Sequence, residues 1–228
     1  MNLAKFKNIV KVINSATIDQ AIIECDGAYS KIRAVNDSKS SAVVHTLPFK
    51  LEDKKICIPN VKELSGKLDL FDVKEATISA SYKDEYVTRI TISQGRRRVV
   101  CNFAHESTIR DMPSSIKRIN ISNELKFSRQ EFNNISRVVS MFNSPYVSFT
   151  GSSNGDIMIL MESVNSDKFE DIVGNTSTSN WSYRWPKQVI FGVMKSALTD
   201  DVKIGISDAG IGVIICDEIP VLVFPSIE

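Results

Sequence analysis

Phe6–Asn14 reads FKNIVKVIN and Phe132–Ser140 reads FNNISRVVS, and the match between these two stretches decides the architecture. The pairs Phe6/Phe132, Asn8/Asn134, Ile9/Ile135, Lys11/Arg137, Val12/Val138 and Ile13/Val139 are each separated by 126 positions, the interval from Phe6 to Phe132. At the same spacing Leu64, Gly66 and Leu68 fall opposite Ile190, Gly192 and Met194, and Ile78 and Ser81 fall opposite Ile204 and Ser207. A spacing kept without slippage over this length means two copies of one supersecondary plan. For a chain of 228 residues it predicts two domains of similar size, each long enough to bury its own core.

Each half reads as helix, several strands, helix and a three-stranded finish. In the first half Leu3, Phe6, Ile9, Val10 and Ile13 recur at helical spacing, and strands are predicted over 20–26, 29–35 and 41–48, with Asp26-Gly27 as a turn. A second helix is predicted from Pro59 to Phe71, followed by strands over 73–81, 86–93 and 97–103 with a hairpin at Gln94-Gly95. The second half is predicted to place helices over 129–142 and 186–198 and strands over 201–207, 211–216 and 220–224. Domain limits of 1–107 and 123–228 follow, joined by a connector over 108–122 whose spaced apolar residues, among them Met112 and Ile116, anchor it to a surface. A second polar segment, Ser163 to Ser182, reads as an exposed loop.

Composition narrows the function classes. An apolar share of 43% with 24% charged residues is that of an ordinary globular chain, and no apolar run nears the ~20 residues that span a bilayer. The start, MNLAKFKNIVKVI, interleaves lysines with apolar residues, so it is expected to be mature structure in a cytoplasmic protein and not a signal peptide. Cys25, Cys57, Cys101 and Cys216 form no CxxC pair, which predicts buried reduced thiols with neither metal nor redox chemistry. His45 lies in the alternating run SAVVHTLPF and His105 in a polar connector, so neither reads as a catalytic base. GxSxG, HExxH, P-loop and dinucleotide glycine fingerprints are read as missing, and Asp200-Asp201 reads as a turn, so no enzyme, catalytic residue, metal site or cofactor is expected.

A net charge of +1 makes the distribution of charge decide what the chain attracts. At 100° per residue the first helix turns Phe6 inward and Lys7, Asn8 and Lys11 outward, and the third turns Phe132, Ile135 and Val139 inward and Gln130, Asn133, Asn134 and Arg137 outward. On the second helix Val61, Leu64, Leu68 and Phe71 face in, leaving Lys62, Gly66 and Asp69 outside. On the fourth, Ile190, Val193, Met194 and Ala197 face in, leaving Gln188, Gly192 and Lys195 outside. Cations and amides with few acids, repeated at equivalent positions of a duplicated plan, suit sequence-independent contact with phosphates. Arg96-Arg97-Arg98 after a hairpin turn reads as solvated strand charge.

The sequence resembles the DNA polymerase sliding clamps, most closely those of T4-like bacteriophages. The helix from Leu3, SKIRAVNDS (Ser30–Ser38), IPNVKELSGKLDLF (Ile58–Phe71) and KEATISAS (Lys74–Ser81) are similar to the first clamp domain in order and spacing, and the ending VLVFPSIE is similar to that of cellular trimeric clamps. Near-neutral overall charge and Asp69 in the cationic row depart from the family pattern. The resemblance implies an α+β clamp fold, two similar domains each with two helices on a curved antiparallel sheet, three chains closing head to tail into a PCNA-like ring.

Its helices would line the hole, with Lys7, Lys11, Lys62, Arg137 and Lys195 facing encircled duplex DNA and Lys5 and Lys67 on the flanks. It further implies a partner-peptide pocket, with Val35 as floor, Met112 and Ile116 above and Val223, Pro225 and Ile227 at its edge. The implied role is DNA replication: a homotrimeric processivity factor that holds the replicative DNA polymerase to DNA, is placed there by an ATP-dependent clamp loader, needs no cofactor, and works in host cytoplasm if phage-encoded. The competing expectation is a structural or transcription-accessory phage protein that shares the duplicated fold but is not loaded on DNA.

Overall fold

The computed structural model describes residues 1–163, 167–175, 180–196, 201–216 and 218–226. It divides into two compact units, one of Met1–Ser38 with Ala42–Ile116, the other of Lys39–Ser41 with Lys117–Glu228. The first unit runs α1 (Leu3–Ser15), β1 (Ala21–Asp26), β2 (Tyr29–Val35), β3 (Ser41–Leu47), β4 (Ile56–Ile58), α2 (Val61–Asp69), β5 (Thr77–Lys83), β6 (Tyr86–Gln94) and β7 (Arg97–Asn102). The second runs β8 (Ile121–Ser128), α3 (Arg129–Met141), β9 (Tyr146–Gly151), β10 (Asp156–Glu162), β11 (Lys168–Asn175), β12 (Trp181–Pro186), α4 (Lys187–Ser196), β13 (Asp201–Ser207), β14 (Gly212–Cys216) and β15 (Ile219–Val223).

The duplication is explicit in the topology. Strand order β4-β1-β2-β3 in the first unit has its counterpart in β12-β9-β10-β11 in the second, and the hairpin sheet β5-β6-β7 has its counterpart in β13-β14-β15, with β8 added beside β13. Every strand pairing within the two units is antiparallel, apart from a single parallel bridge between Lys55 and Tyr86. Helices α1 and α3 start and stop at positions separated by the repeat interval, because the same apolar stripe drives both.

Local chemistry sets the helix ends. Asn2 accepts from the Lys5 N–H at 3.0 Å and Asn60 from the Glu63 N–H at 2.9 Å, so α2 starts at Val61 and not at Pro59, the residue that sequence reading favoured. Ser128 and Glu131 form a reciprocal capping box at the start of α3. Strand β5 starts at Thr77, later than predicted, because Asp72 turns the chain: it accepts from the Ala76 N–H through its carbonyl at 2.9 Å and from the Lys74 N–H through Oδ1 at 2.9 Å.

Each core is built from the predicted stripes. Phe6, Ile9, Val10 and Ile13 of α1 and Val61, Leu64 and Leu68 of α2 are buried, as are Phe132, Ile135 and Val139 of α3 and Ile190, Val193 and Met194 of α4, while Ala197 lies outside the described residues. The described residues of the predicted loop over Ser163 to Ser182 are mostly strand: β11 pairs with β10 from Lys168↔Glu162 to Asn175↔Asp156, and β12 begins at Trp181. The ladder with β10, not its own apolar pattern, makes β11 a strand. Cys57, Cys101 and Cys216 are buried and Cys25 is half-buried, none of them in a disulfide, and burial pushes the Cys57 thiol up to about 11. No helix among the described residues is long and apolar enough to cross a membrane.

Candidate nucleic-acid interface

In the first unit α1 and α2 run antiparallel. The Val61 N–H, at the start of α2, donates to the Asp19 carbonyl beyond the end of α1 at 2.7 Å, and Lys7, near the start of α1, donates to the Phe71 carbonyl beyond the end of α2 at 3.3 Å. Lys7 is thereby a helix cap, and it also pairs with Asp69 at 3.2 Å, so the acid that broke the cationic row neutralises the lysine across from it. Lys5 lies 3.8 Å from the Phe49 ring centroid, and Lys67 pairs with Glu63 one turn back at 2.5 Å, which raises its pKa. Lys11 and Lys62 are exposed and have no ion-pair partner among the described residues. One turn beyond Lys62 on α2 Gly66 is exposed, and a Cβ there would have no atom within 4 Å.

The second unit repeats the arrangement with other residues. Phe132 of α3 stacks on Phe191 of α4, ring centroids 5.9 Å apart. The Lys187 ammonium, in the first turn of α4, donates to the Phe142 carbonyl at 2.6 Å, so it caps the end of α3 as Lys7 caps the end of α2. Arg137 and Lys195 are exposed without an ion-pair partner among the described residues, and Asn133 and Asn134 stand exposed beside Arg137. Of the seven predicted DNA-facing cations, four present a free charge and three are engaged within their unit. The capping role of Lys187 was missed, because a lysine in a first helical turn has no sequence signature for capping a distant helix.

The predicted pocket residues divide between the two units. In the first, Ile22 of β1, Cys57 of β4, Ile109 and Met112 form one buried cluster against which Val35 packs, while Ile116 is half-buried. Ile22 and Arg33 stand opposite each other in the β1–β2 ladder, on the face away from Ile23 and Ile32, and the segment through Met112 covers that face. Arg33 donates to Glu24 at 2.7 Å, to Glu106 at 3.1 Å and to the Met112 carbonyl at 3.3 Å, and Lys55 pairs with Glu106 at 2.6 Å. Arg110 completes the strap, paired with Asp37 and bonded to Gln20 at 3.2 Å.

Partial burial would lower the Lys55 pKa, but the Glu106 hydrogen bond and charge outweigh it and raise the pKa, while the same bond, with Arg33 in support, holds Glu106 below its ordinary value. These partners lie far apart in sequence, and periodicity gave no sign of them. In the second unit Val223 is buried at the end of β15, Pro225 is half-buried beyond it, and Ile227 lies outside the described residues.

Gly151-Ser152-Ser153-Asn154-Gly155 matches the letters GxSxG, a string that the sequence reading wrongly counted as absent. It forms the β9–β10 hairpin turn, with Ser153 exposed, and not the strand-to-helix turn that a nucleophile elbow requires. Among the described residues no group of three or more His, Cys, Asp and Glu side chains could hold a metal ion.

No family model and no curated protein matches the sequence. Solved structures do match the fold. Proliferating cellular nuclear antigen (PCNA) from Entamoeba histolytica aligns over 99% of this chain and 96% of its own, with a TM-score of 0.72 and 15% identity. A. fulgidus PCNA, solved with the C-terminal region of FEN-1 bound, aligns over 100% and 97% with a TM-score of 0.73 and 15% identity. PCNA from Thermococcus kodakaraensis aligns over 99% and 98% with a TM-score of 0.69 and 12% identity. The duplicated α+β chain therefore has the DNA clamp fold of PCNA.

Proposed function

We propose that this chain is the protomer of a sliding clamp in DNA replication: a homotrimer that closes head to tail around duplex DNA, binds it without sequence preference, and tethers a replicative DNA polymerase after an ATP-dependent loader has placed it there. The observation that carries the reading is the conjunction of the PCNA fold with Lys11, Lys62, Arg137 and Lys195, one on each of the four helices, exposed and without ion-pair partners among the described residues, Lys11 and Arg137 at equivalent positions of α1 and α3. Ionic attraction to phosphate carries no base information, and contacts of this kind let a protein slide. Tethering raises the effective concentration of polymerase at the template without chemistry, so this role needs neither catalytic residues nor a cofactor.

In this proposal 1–107 and 123–228 are the two clamp domains and 108–122 is the interdomain connector. Partner peptides from polymerase and loader dock on Val35, Met112, Ile116, Val223, Pro225 and Ile227. The strap from Arg33 and Lys55 to Glu106 supports a connector fixed in place to receive them. The sequence resemblance to T4-like bacteriophage clamps supports a cytoplasmic site of action, in the host if the chain is phage-encoded.

Encirclement has a topological signature. At high protein concentration a ring threads over the free ends of a linear duplex, and blocking both ends with streptavidin prevents it. Association with the open duplex and none with the blocked one is the expected result. Equal binding to both would refute encirclement.

A further inference from the structure

The two hairpin sheets differ at one edge. In the second unit β8 lies beside β13 and completes that sheet, whereas β5, the counterpart of β13, has no neighbour on its outer side among the described residues. At the repeat interval Ile78 matches Ile204 and Ala80 matches Ile206. Ile204 and Ile206 are fully buried, paired with Leu125 and Asn123 of β8. Ile78 and Ala80 are only half-buried, although they stand opposite the buried Ile92 and Ile90. An edge that leaves apolar residues part-covered where its copy covers them is a place for one more strand.

The main-chain groups agree. Gln94 and Arg97 flank a tight turn, and the Phe103 N–H donates to the Thr88 carbonyl at 2.8 Å, so even-numbered residues of β6 from Thr88 to Gln94 turn their peptide groups toward β7. Arg89, Thr91 and Ser93 therefore turn theirs toward Ser81, Ser79 and Thr77. The N–H and C=O of Ile78 and Ala80 are left on the open side, and among the described residues no backbone hydrogen bond from outside the sheet reaches them. In the second unit the Ser207 N–H donates to the Ile211 carbonyl at 3.0 Å, which by the same alternation turns Ile204 and Ile206 toward β8. Charge adds a further requirement. Arg89 is exposed and leans across β5, its Nε donating to Ser81 Oγ at 3.1 Å, which carries the guanidinium toward the open edge with no ion-pair partner among the described residues.

We propose that β5 is a docking edge for an extended segment of a partner protein, which adds antiparallel to β5 in the place that β8 takes beside β13. The segment carries apolar residues at alternate positions on the face of Ile78 and Ala80, and a carboxylate on the other face within reach of Arg89. Main-chain bonds to Ile78 and Ala80 supply affinity, and the apolar alternation sets the register. Strand β8 itself has this pattern: Leu125 and Phe127 are buried, and the exposed Glu124 stands opposite Gly205, the counterpart of Ser79. Nothing in this docking requires the ring.

A blocked peptide with the β8 sequence, ISNELKFS, is the probe, and amide hydrogen exchange of the full chain, read residue by residue, is the assay. Added peptide should slow exchange at Ile78 and Ala80 and leave Thr77, Ser79 and Ser81 unchanged, since those three are already bonded to β6. Ala80→Pro removes one outward N–H without touching the bonds to β6, and should weaken binding about 10-fold or more with an unaltered circular dichroism spectrum. Arg89→Glu should weaken it about 5-fold, and the peptide carrying Glu124→Lys should bind this variant better than it binds the wild type. If Ala80→Pro does not fold, the Arg89→Glu and Glu124→Lys pair decides alone. Unchanged exchange at Ile78 and Ala80 in millimolar peptide, equal affinity of the wild type and a folded Ala80→Pro, or no preference of the Glu124→Lys peptide for Arg89→Glu would each overturn the proposal. Altered exchange confined to β13, from peptide replacing β8, would overturn it as well.

Discussion

Reversing two of the four free cations should change how DNA association responds to salt by a calculable amount. Lys11, Lys62, Arg137 and Lys195 are exposed, whereas Lys7 is held by Asp69 and the Phe71 carbonyl and Lys67 by Glu63. Each phosphate neutralised contributes about −0.9 to the slope of log K against log salt, so four contacts give about −3.6 per protomer and two give about −1.8. Between 50 and 200 mM salt that difference amounts to about a 10-fold smaller loss of affinity per protomer for Lys11→Glu with Arg137→Glu, or about 1,000-fold over a ring of three. The assay is fluorescence anisotropy of a labelled open-ended duplex over a salt series, with the trimer checked by sedimentation. Asp69→Asn should move the other way, steepening the slope by about 0.9 as Lys7 is released from its acid. A double variant that stays trimeric and keeps the wild-type slope would refute the assignment of these helices to the DNA face.

Two glycines should respond in opposite directions to the same substitution. Gly66→Ala adds a methyl group into open space on an exposed helix and should stabilise the protein by about 0.5–1 kcal/mol in urea denaturation. Gly210→Ala should destabilise it by about 2 kcal/mol or more, because Gly210 sits at φ +75° and the new carbon would fall inside the Tyr183 ring. Equal effects at the two sites would contradict this packing. Acid should loosen the connector: Glu106 is held below its ordinary value of 4.5 chiefly by the Lys55 hydrogen bond, so its contribution is complete above that value and is lost as pH falls through the lower folded-state value. Limited proteolysis of the segment 105–112 should therefore accelerate below about pH 4. Glu106→Gln should cleave readily at neutral pH with no acid step, and an acid step unchanged by that substitution would sink the assignment.

The helices were legible because period 3.6 is written strongly at Phe6, Ile9 and Ile13 and again at Phe132, Ile135 and Val139, and the repeat carried each reading across to its copy. The outward direction of Lys11, Lys62, Arg137 and Lys195 followed from the same geometry. Strand β11 was not legible, since Lys168-Phe169-Glu170-Asp171 shows little apolar alternation and its ladder comes from β10. The engagement of Lys7, Lys67 and Lys187 was not legible either: a helical wheel shows which way a lysine points but not whether a carboxylate or a bare carbonyl on another turn or helix has already claimed it. The strap over Met112 combines Arg33, Lys55 and Glu106, partners that no local rule connects.

Lysines that fasten one helix to the end of another are withdrawn from the grip on a ligand. Lys7 ties the start of α1 to the end of α2, and Lys187 ties the start of α4 to the end of α3. Each donates a hydrogen bond to a carbonyl inside the protein, which ties two helix ends together. In the proposed clamp a hold left to few free charges would be strong enough to centre a polyanion and weak enough to be renewed at every step, so the fastening of the helices and the ease of gliding would have one cause.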